Sequence, residues 1–402
     1  MSAVGQTTVA APSTAPALLS WPRAREAARR AGLRPLPGVG VPLAEALGHT
    51  LAEPLGALTD LPAFDTSAMD GWAVAGPGPW RVTGRVLAGG AEPAPLADGT
   101  AVETATGAQL PPGATAVLRR EHGRPDGTLL HDRGPRPLTT GQDVRPRGQE
   151  CRRGEELLPS GTPVGPAVLG LAAASGHDRL TVHRRPEVGL LVLGDELRTT
   201  GVPGPGLVRD ALGPLLPPWL RAVGADPAEV RYVRDDFALL RDALRHSADD
   251  LVVTTGGTAA GPVDFLHRAL AEAGARLLVD GVAVRPGHPM LLAELPGGRH
   301  LVGLPGNPLA AVAGMVTLVL PLLHARAGRP AGAPVLAPAA AALPGHRTDT
   351  RLQPVRRTAG GVVPLAFDGP AMLRGLARAE ALAVVPPGGA AAGEPVELLE
   401  VP

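Results

Sequence analysis

Asp250 to Leu270 reads DLVVTTGGTAAGPVDFLHRAL. Asp250 to Thr255 is a short β-branched and aliphatic run, the pattern of a strand buried on both faces of a parallel sheet. It breaks at Gly256-Gly257, passes through Gly261-Pro262, and then shows helical spacing at Val263, Leu266 and Leu270. Strand, glycine turn and helix in that order point backbone N–H groups and a helix N-terminus at an anion. Glycine lets a backbone come close to a ligand, and Asp264 stands where the first helical turn begins. A TGGT turn by itself is equally well a tight turn with no ligand, so the weight of the reading falls on its neighbours.

Those neighbours repeat the pattern. Val188 to Leu193 reads as a strand that runs straight into Gly194-Asp195-Glu196-Leu197. Leu212 to Gly224 reads as a helix, Glu229 to Val233 as a strand, Phe237 to Ser247 as a helix and Ala275 to Val279 as a strand. The turn VRPGHP follows, and then His300 to Leu304 forms a strand meeting Pro305-Gly306-Asn307-Pro308. Leu309 to Leu323 is a buried helix. Alternating strands and helices make Pro186 to Gly328 an α/β domain. Three of its strands end in polar or glycine loops, GDEL, TTGGTAAG and LPGNP, and doubly wound sheets bind ligands at those ends.

On the N-terminal side, residues 1–16 read as a disordered tail without the charged start and continuous apolar core of a signal peptide. Trp21 to Gly32 reads as a helix with Ser20 as N-cap, Pro22 in the first turn and Gly32 closing it. Val41 to Leu55 reads as a second short helical segment. Leu61 to Gly76, LPAFDTSAMDGWAVAG, packs Phe64, Met69 and Trp72 closely around Asp65 and Asp70. A loop over a small core, with Asp70-Gly71 as a turn, explains that stretch without any ligand. Trp80 to about Asp143 is strand-like and turn-rich. Pro166 to Ser175 is a helix closed by Gly176, placed with the first helix in one subdomain across the inserted lobe. From Ala331 onward, alternating segments such as RLQPVRR and EPVELLEV indicate a small β-domain.

The expected divisions are therefore a tail (1–16), a mixed N-terminal subdomain (17–60 with 144–185), an inserted β-rich lobe (61–143), a central α/β domain (186–328) and a C-terminal β-domain (329–402). The fold class is α/β and β multidomain. A chain of 402 residues suits several domains. With 38 charges of each sign it has no overall field to recruit nucleic acid, and no basic cluster carries interleaved aromatics. No apolar run approaches the roughly 18–20 residues of a membrane span. The single cysteine, Cys151, excludes an internal disulfide and fits a reducing cytoplasm. Lysine and isoleucine are absent and only one asparagine occurs, a bias that fits a GC-rich genome.

Taken together, the motifs resemble the molybdopterin molybdotransferases, the MoeA and gephyrin E-domain family. Leu61 to Val74 resembles the family's LPxFDNSAMDGYAV, and Thr106-Gly107-Ala108 lies in a segment like TGAxxPxGAxAV. Gly141-Gln142-Asp143 resembles its GED box, Gly194 to Leu197 its TGDEL, Thr255 to Gly261 its SGGVSVG, and Leu304 to Pro308 its LPGNP. The resemblance implies insertion of molybdate into adenylylated molybdopterin with release of AMP, aided by a divalent metal such as Mg²⁺. It also implies an elongated homodimer with active sites shared between subunits, and an elongated N-terminal subdomain. Asp70, Asp143, Glu196, Asp235 and Asp264 match the family's acidic positions, with Glu196 and Asp264 as the metal ligands. Thr106, Thr255, Gly256, Gly257, Arg285, His288, Pro289, Gly306, Asn307 and Arg347 fall at substrate-binding positions. Chemistry agrees: phosphoanhydride cleavage needs positioned charge, a carboxylate-held metal and anion cradles more than covalent help.

Departures from the family cluster in the molybdate pocket. Both lysines of KPGKP are replaced, by Arg285 and His288, and arginine keeps the charge while changing its shape. Ala310 stands where a serine follows LPGNP, and Gly369-Pro370 stands where the family has Gly-Ser. The glycine turn carries Ala259-Ala260-Gly261 for SVG, and the usual asparagine near Leu212 is missing. A second reading, from a different class, is a degenerate paralogue that binds a molybdopterin nucleotide or an assembly partner without inserting metal. A third keeps the cradle and acts on another adenylylated or phosphorylated ligand.

Overall fold

The computed structural model describes residues 18–258 and 265–401. Their contacts divide them into two compact units, one made of Val39–Leu47 and Leu51–Val182, the other of the remaining described chain.

The larger unit is built on a six-stranded sheet in the order Asp226–Val233, Glu187–Leu193, Leu251–Thr255, Arg299–Leu304, Leu291–Leu295, Arg276–Asp280. Its first four strands are parallel and the last two run antiparallel to their neighbours. Alternation along each strand assigns its faces. Leu190, Val253 and Val302 pack with Leu216 and Leu220 of the helix Leu212–Ala222 and with Val312 and Val316. On the other face Leu191, Val252 and Leu301 meet Leu240 and Leu244 of the helix Phe237–His246 and Leu266 and Leu270 of the helix Phe265–Glu272. Helices therefore cover both faces, the doubly wound arrangement expected from the sequence. The strand Leu291–Leu295 had no place in that expectation, because five residues between a proline turn and a glycine turn carry little periodicity.

A single helical stretch from Pro308 to Arg326 crosses the first face, with one π-helical turn at Met315–Val319. Widening a turn frees backbone carbonyls and side chains from the regular ladder. Here Trp21 Nε1 donates to Thr317 Oγ1 at 3.0 Å and Arg25 donates to the Val316 carbonyl at 3.2 Å. Both donors lie on the helix Trp21–Ala31, whose Trp21, Ala24 and Ala28 sit in the α/β core. That placement corrects the grouping of this helix with Pro166–Ala174, whose Ala172 packs instead with Leu51, Leu55 and Val182 in the smaller unit. Gly32 ends the helix, but in a right-handed conformation; a Cβ there would lie 2.5 Å from the Leu322 carbonyl oxygen, so close helix approach is what requires glycine. Ser20 makes no side-chain cap. Pro308–Arg326 is also long and apolar enough to cross a bilayer, contrary to the sequence expectation, yet 78% of its most apolar window is buried inside the protein as a core helix is.

The C-terminal strands Val335–Pro338, Thr350–Thr358, Gly361–Pro364, Ala381–Val385 and Pro395–Leu399 form a β-domain whose sheet also takes in Val282–Arg285 and Leu19–Ser20. Val284 pairs with Thr350 and Arg285 with Arg351 in parallel register, so the strand entering RPGHP belongs to this sheet.

The smaller unit holds the β-rich lobe, a six-stranded sheet ordered Ala116–Arg119, Gly71–Val74, Thr100–Thr104, Trp80–Val86, Leu129–Asp132, Gly123–Asp126. Trp72, Trp80, Leu118 and Leu130 fill its core. Val41 to Leu55 is not helical beyond one 3-10 turn at Leu43–Glu45. Pro42 and Pro54 bracket it, Gly48 takes a φ of 80°, and Leu51 bridges to Val182 instead. Its apolar spacing imitates a helix while its backbone is used for pairing. Cys151 is buried and free.

Candidate active site at the strand ends

Because Glu187–Leu193, Leu251–Thr255 and Arg299–Leu304 lie side by side and parallel, their C-terminal loops meet. Gly256 donates its N–H to the Leu304 carbonyl at 2.9 Å. Gly306 comes close enough that a Cβ on it would lie 3.7 Å from the Gly256 Cα. Gly256 and Gly257 hold φ of 86° and 66°, left-handed values that glycine adopts without strain. Thr255 is buried beneath them, while Gly257, Gly306 and Asn307 are exposed. The structure thus brings together Thr255, Gly256, Gly257, Gly306 and Asn307, as the motifs implied.

Glu196 sits on the first of these loops, exposed, with no hydrogen bond or ion pair from its carboxylate to another described residue. Its carboxylate folds over Gly194, where a Cβ would stand 2.8 Å from Oε2. The loop is pinned by the Val208 N–H donating to the Glu196 carbonyl at 2.9 Å. Asp195 beside it is engaged: Arg234 Nε lies 3.1 Å from its carboxylate, and its own N–H reaches Asp235 Oδ2 at 3.4 Å, which places Asp235 at the same loop.

The RPGHP turn reaches this region through Gly287. With φ at 102°, a Cβ on Gly287 would lie 2.8 Å from the Ala310 carbonyl oxygen and 3.2 Å from the Ala313 Cβ. Only glycine lets the turn rest on the helix that LPGNP starts, and Arg285, His288 and Pro289 flank that contact along the chain. Arg285 is not the bare cation the sequence suggested. Its Nε donates to Asp349 Oδ2 at 2.8 Å. Burial pushes the Asp349 carboxyl up, but the Arg285 guanidinium, the Thr348 hydroxyl and His346 together hold it below the usual carboxylate range. Arg347 is exposed on the same turn and has no ion pair among the described residues.

The start of the helix Pro308–Gly314 also differs from expectation. Asn307 stands at the N-cap without a side-chain cap, and the N–H groups of Leu309 and Ala310 donate to the Pro370 carbonyl at 2.9 and 3.2 Å. Those donors are therefore satisfied from within the chain. Asp368 fixes the Pro370 loop by accepting from Arg351 at 2.6 Å and Gln353 at 3.1 Å. The replacement of Gly-Ser by Gly369-Pro370 costs this contact nothing, since it uses a carbonyl that proline retains.

In the smaller unit, Asp70 Oδ1 accepts from the Thr106 N–H at 2.7 Å and the Thr106 hydroxyl at 2.8 Å. The Thr106 backbone N–H, then its hydroxyl, hold the Asp70 carboxyl below its ordinary range. Gly71 does not merely turn: it opens a strand, where a Cβ would collide with the Leu118 carbonyl at 2.0 Å. Asp143 takes a φ of 56° and is gripped by Arg119 through Nε at 2.8 Å and Nη2 at 2.9 Å. Arg119 and Asp349 were missed in the sequence, and Pro370 was noted only as a departure from Gly-Ser and not as an acceptor; each acts across 24 to 64 residues of chain with no periodic signal to announce it.

Asp264 lies outside the described residues. Among the described residues no three His, Cys, Asp or Glu side chains group as a metal site. Glu196 still fits one demand of a hard, hydrated cation, an oxygen donor with no competing partner among the described residues.

Comparison with known proteins agrees with this geometry. Residues 19–176 match the MoeA N-terminal region (domain I and II), 189–325 a probable molybdopterin binding domain, and 337–401 the MoeA C-terminal region (domain IV). A molybdopterin molybdenumtransferase from Synechococcus elongatus is 35% identical over 303 residues, covering 71% of this chain and 74% of that protein. Its counterpart in Bacillus subtilis is 32% identical, covering 71% and 69%. The crystal structure of a molybdopterin biosynthesis MoeA protein from Pyrococcus horikosii, 26% identical, superposes over 96% of this chain and 99% of its own with a TM-score of 0.77. The chain belongs to the MoeA family of molybdopterin molybdenumtransferases.

Proposed function

We propose that this chain inserts molybdate into adenylylated molybdopterin with release of AMP. The observation that carries the reading is the convergence of GDEL, TTGG and LPGNP at adjacent parallel strand ends, with RPGHP packed on the same helix. The glycine turns give the nucleotide a backbone surface without Cβ atoms in the way. Arg285 supplies a permanent positive charge for the oxyanion, and Glu196 a free carboxylate. A divalent cation such as Mg²⁺, held by Glu196 with Asp264, would neutralise charge on the phosphate oxygens. Asp235 and Asn307 line the same edge. The degenerate-paralogue reading is not favoured, since the similar proteins carry the transferase name.

Asp70 and Asp143, with Thr106, complete the site from the smaller unit of a partner subunit in a homodimer. The buried, unpaired Cys151 accords with a reducing compartment such as the cytoplasm. Two measurements test the reading. Purified protein should release AMP from adenylylated molybdopterin only when molybdate is present, and its gene should restore a strain that cannot insert molybdenum. Failure of both removes the enzyme reading. Mixing Asp70→Asn with Asp264→Asn protein should recover part of the activity in heterodimers; verified heterodimers without recovery would rule out shared sites.

A further inference from the structure

The strand Val282–Arg285 delivers Arg285 to the head of Thr350–Thr358, and Asp349 waits immediately before that strand. Asp349 is 7% exposed. Arg285 Nε donates to Oδ2 at 2.8 Å and Thr348 Oγ1 donates to Oδ1 at 2.9 Å. Asp349's own N–H donates to His346 Nδ1 at 3.1 Å. Arg285 is the permanent cation that answers Asp349, and His346 Nδ1 also lies 3.5 Å from Oδ2.

Only one of the guanidinium's nitrogens is spent on this contact. The terminal Nη1 and Nη2 bond to no described residue, and the Arg285 side chain remains 49% exposed. A lysine in the same position would commit its one ammonium to the carboxylate. Arginine can be fastened at Nε and still offer a planar two-pronged donor, which matches two oxygens of an oxyanion. Fastening also removes rotamer freedom before the ligand arrives, which strengthens binding.

We infer that Asp349 is a positioning residue that anchors Arg285 by Nε and presents its Nη1/Nη2 fork to the molybdate oxyanion. The inference rests on the function proposed above. It explains how a site without the family's lysines keeps a directed cation: the exchange to arginine works because a buried carboxylate stands behind it. The bland alternative is that the pair only holds two strands in register.

The two differ in what they move. Asp349→Asn should raise KM for molybdate by roughly tenfold, leaving kcat and KM for adenylylated molybdopterin near their wild-type values. In an Arg285→Lys background the same change should add little, because there is no fork left to orient. A register role predicts instead a lower melting temperature with both KM values shifted together, and that result overturns the inference. So does a fall in KM for molybdate, which would mean the carboxylate only cancels charge, or an equal effect of Asp349→Asn in the Arg285→Lys background. Should Asp349→Asn fail to fold, Asp349→Glu keeps the charge and displaces the fork by one methylene, with the same rise expected. If wild-type protein shows no turnover, the function fails first, and calorimetric titration with molybdate then reads the fork directly: no binding to the wild type overturns this inference as well, and binding weakened about tenfold by Asp349→Asn upholds it.

Discussion

The two ends of the parallel sheet use charge in opposite ways. At the N-terminal end, Asp250 accepts from Arg184 at 2.8 and 2.9 Å and from the Glu187 N–H at 2.9 Å, with Arg326 at 3.8 Å. His300, at the start of its strand, is 4% exposed. The Asp250 carboxylate is thus answered by groups of the chain's own. At the C-terminal end the carboxylate of Glu196 is exposed and claimed by no other described residue, and the backbone is stripped to glycine at 256, 257 and 306. Charge satisfied from within stabilises the fold; charge left unsatisfied at a strand-end cleft is available to a ligand. Arg285 stands between these cases, anchored on one side and open on the other.

The contrast is broken most sharply by exchanging one carboxylate at each end. Glu196→Gln should reduce AMP release by about a hundredfold or more while leaving the urea midpoint unchanged, as loss of a charge acting on phosphate oxygens does. Normal turnover in that variant would show that an open carboxylate at this end is mere surface. Asp250→Ala should do the reverse. It strands Arg184 and the Glu187 N–H, costing about 2–3 kcal/mol, less than a fully buried pair because Arg184 is 35% exposed. Denaturant unfolding should report that loss with KM values intact; a change in KM for molybdate without a stability loss would erase the distinction between the two ends.

Much of the strand-end cleft was legible in the sequence because local patterns encode it. A β-branched run such as LVVTT followed by paired glycines specifies a buried strand and a turn within seven residues, and GDEL and LPGNP repeat the device. What stayed hidden was non-local. Nothing near Arg285 announces Asp349, since their pairing depends on strands 64 residues apart meeting in register. Nothing near LPGNP announces that the Pro370 carbonyl covers the helix start. The helix Trp21–Ala31 was legible as a helix, yet its small buried face of Ala24 and Ala28 gave no hint of which helix it packs on. Val41 to Leu55 misled because its apolar spacing fits a helix while two prolines and Gly48 oppose one.

The smallest effect concerns the crowded end and acid. Burial, reinforced by the charge of Arg326, pushes the His300 imidazole down to about 4. His324, on the neighbouring helix, is pushed to about 4 as well, by burial and then by Arg329 and Arg25. In the unfolded chain both rings take up protons near pH 6.5. The folded state keeps them neutral, so their contribution is complete above about pH 6.5 and is lost as pH falls from there toward 4. Each ring can change stability by at most about 1.4 kcal/mol per pH unit in that window, so moving from pH 7.5 to 5.5 should cost about 1 kcal/mol per histidine. Urea unfolding at the two pH values measures the sum, and His300→Gln should flatten part of the slope whatever it does to the absolute value. A slope unaltered by His300→Gln would mean the ring takes up a proton within the fold without penalty. The N-terminal end would then tolerate new charge much as the open end does, and the two ends would differ only in how many partners they hold.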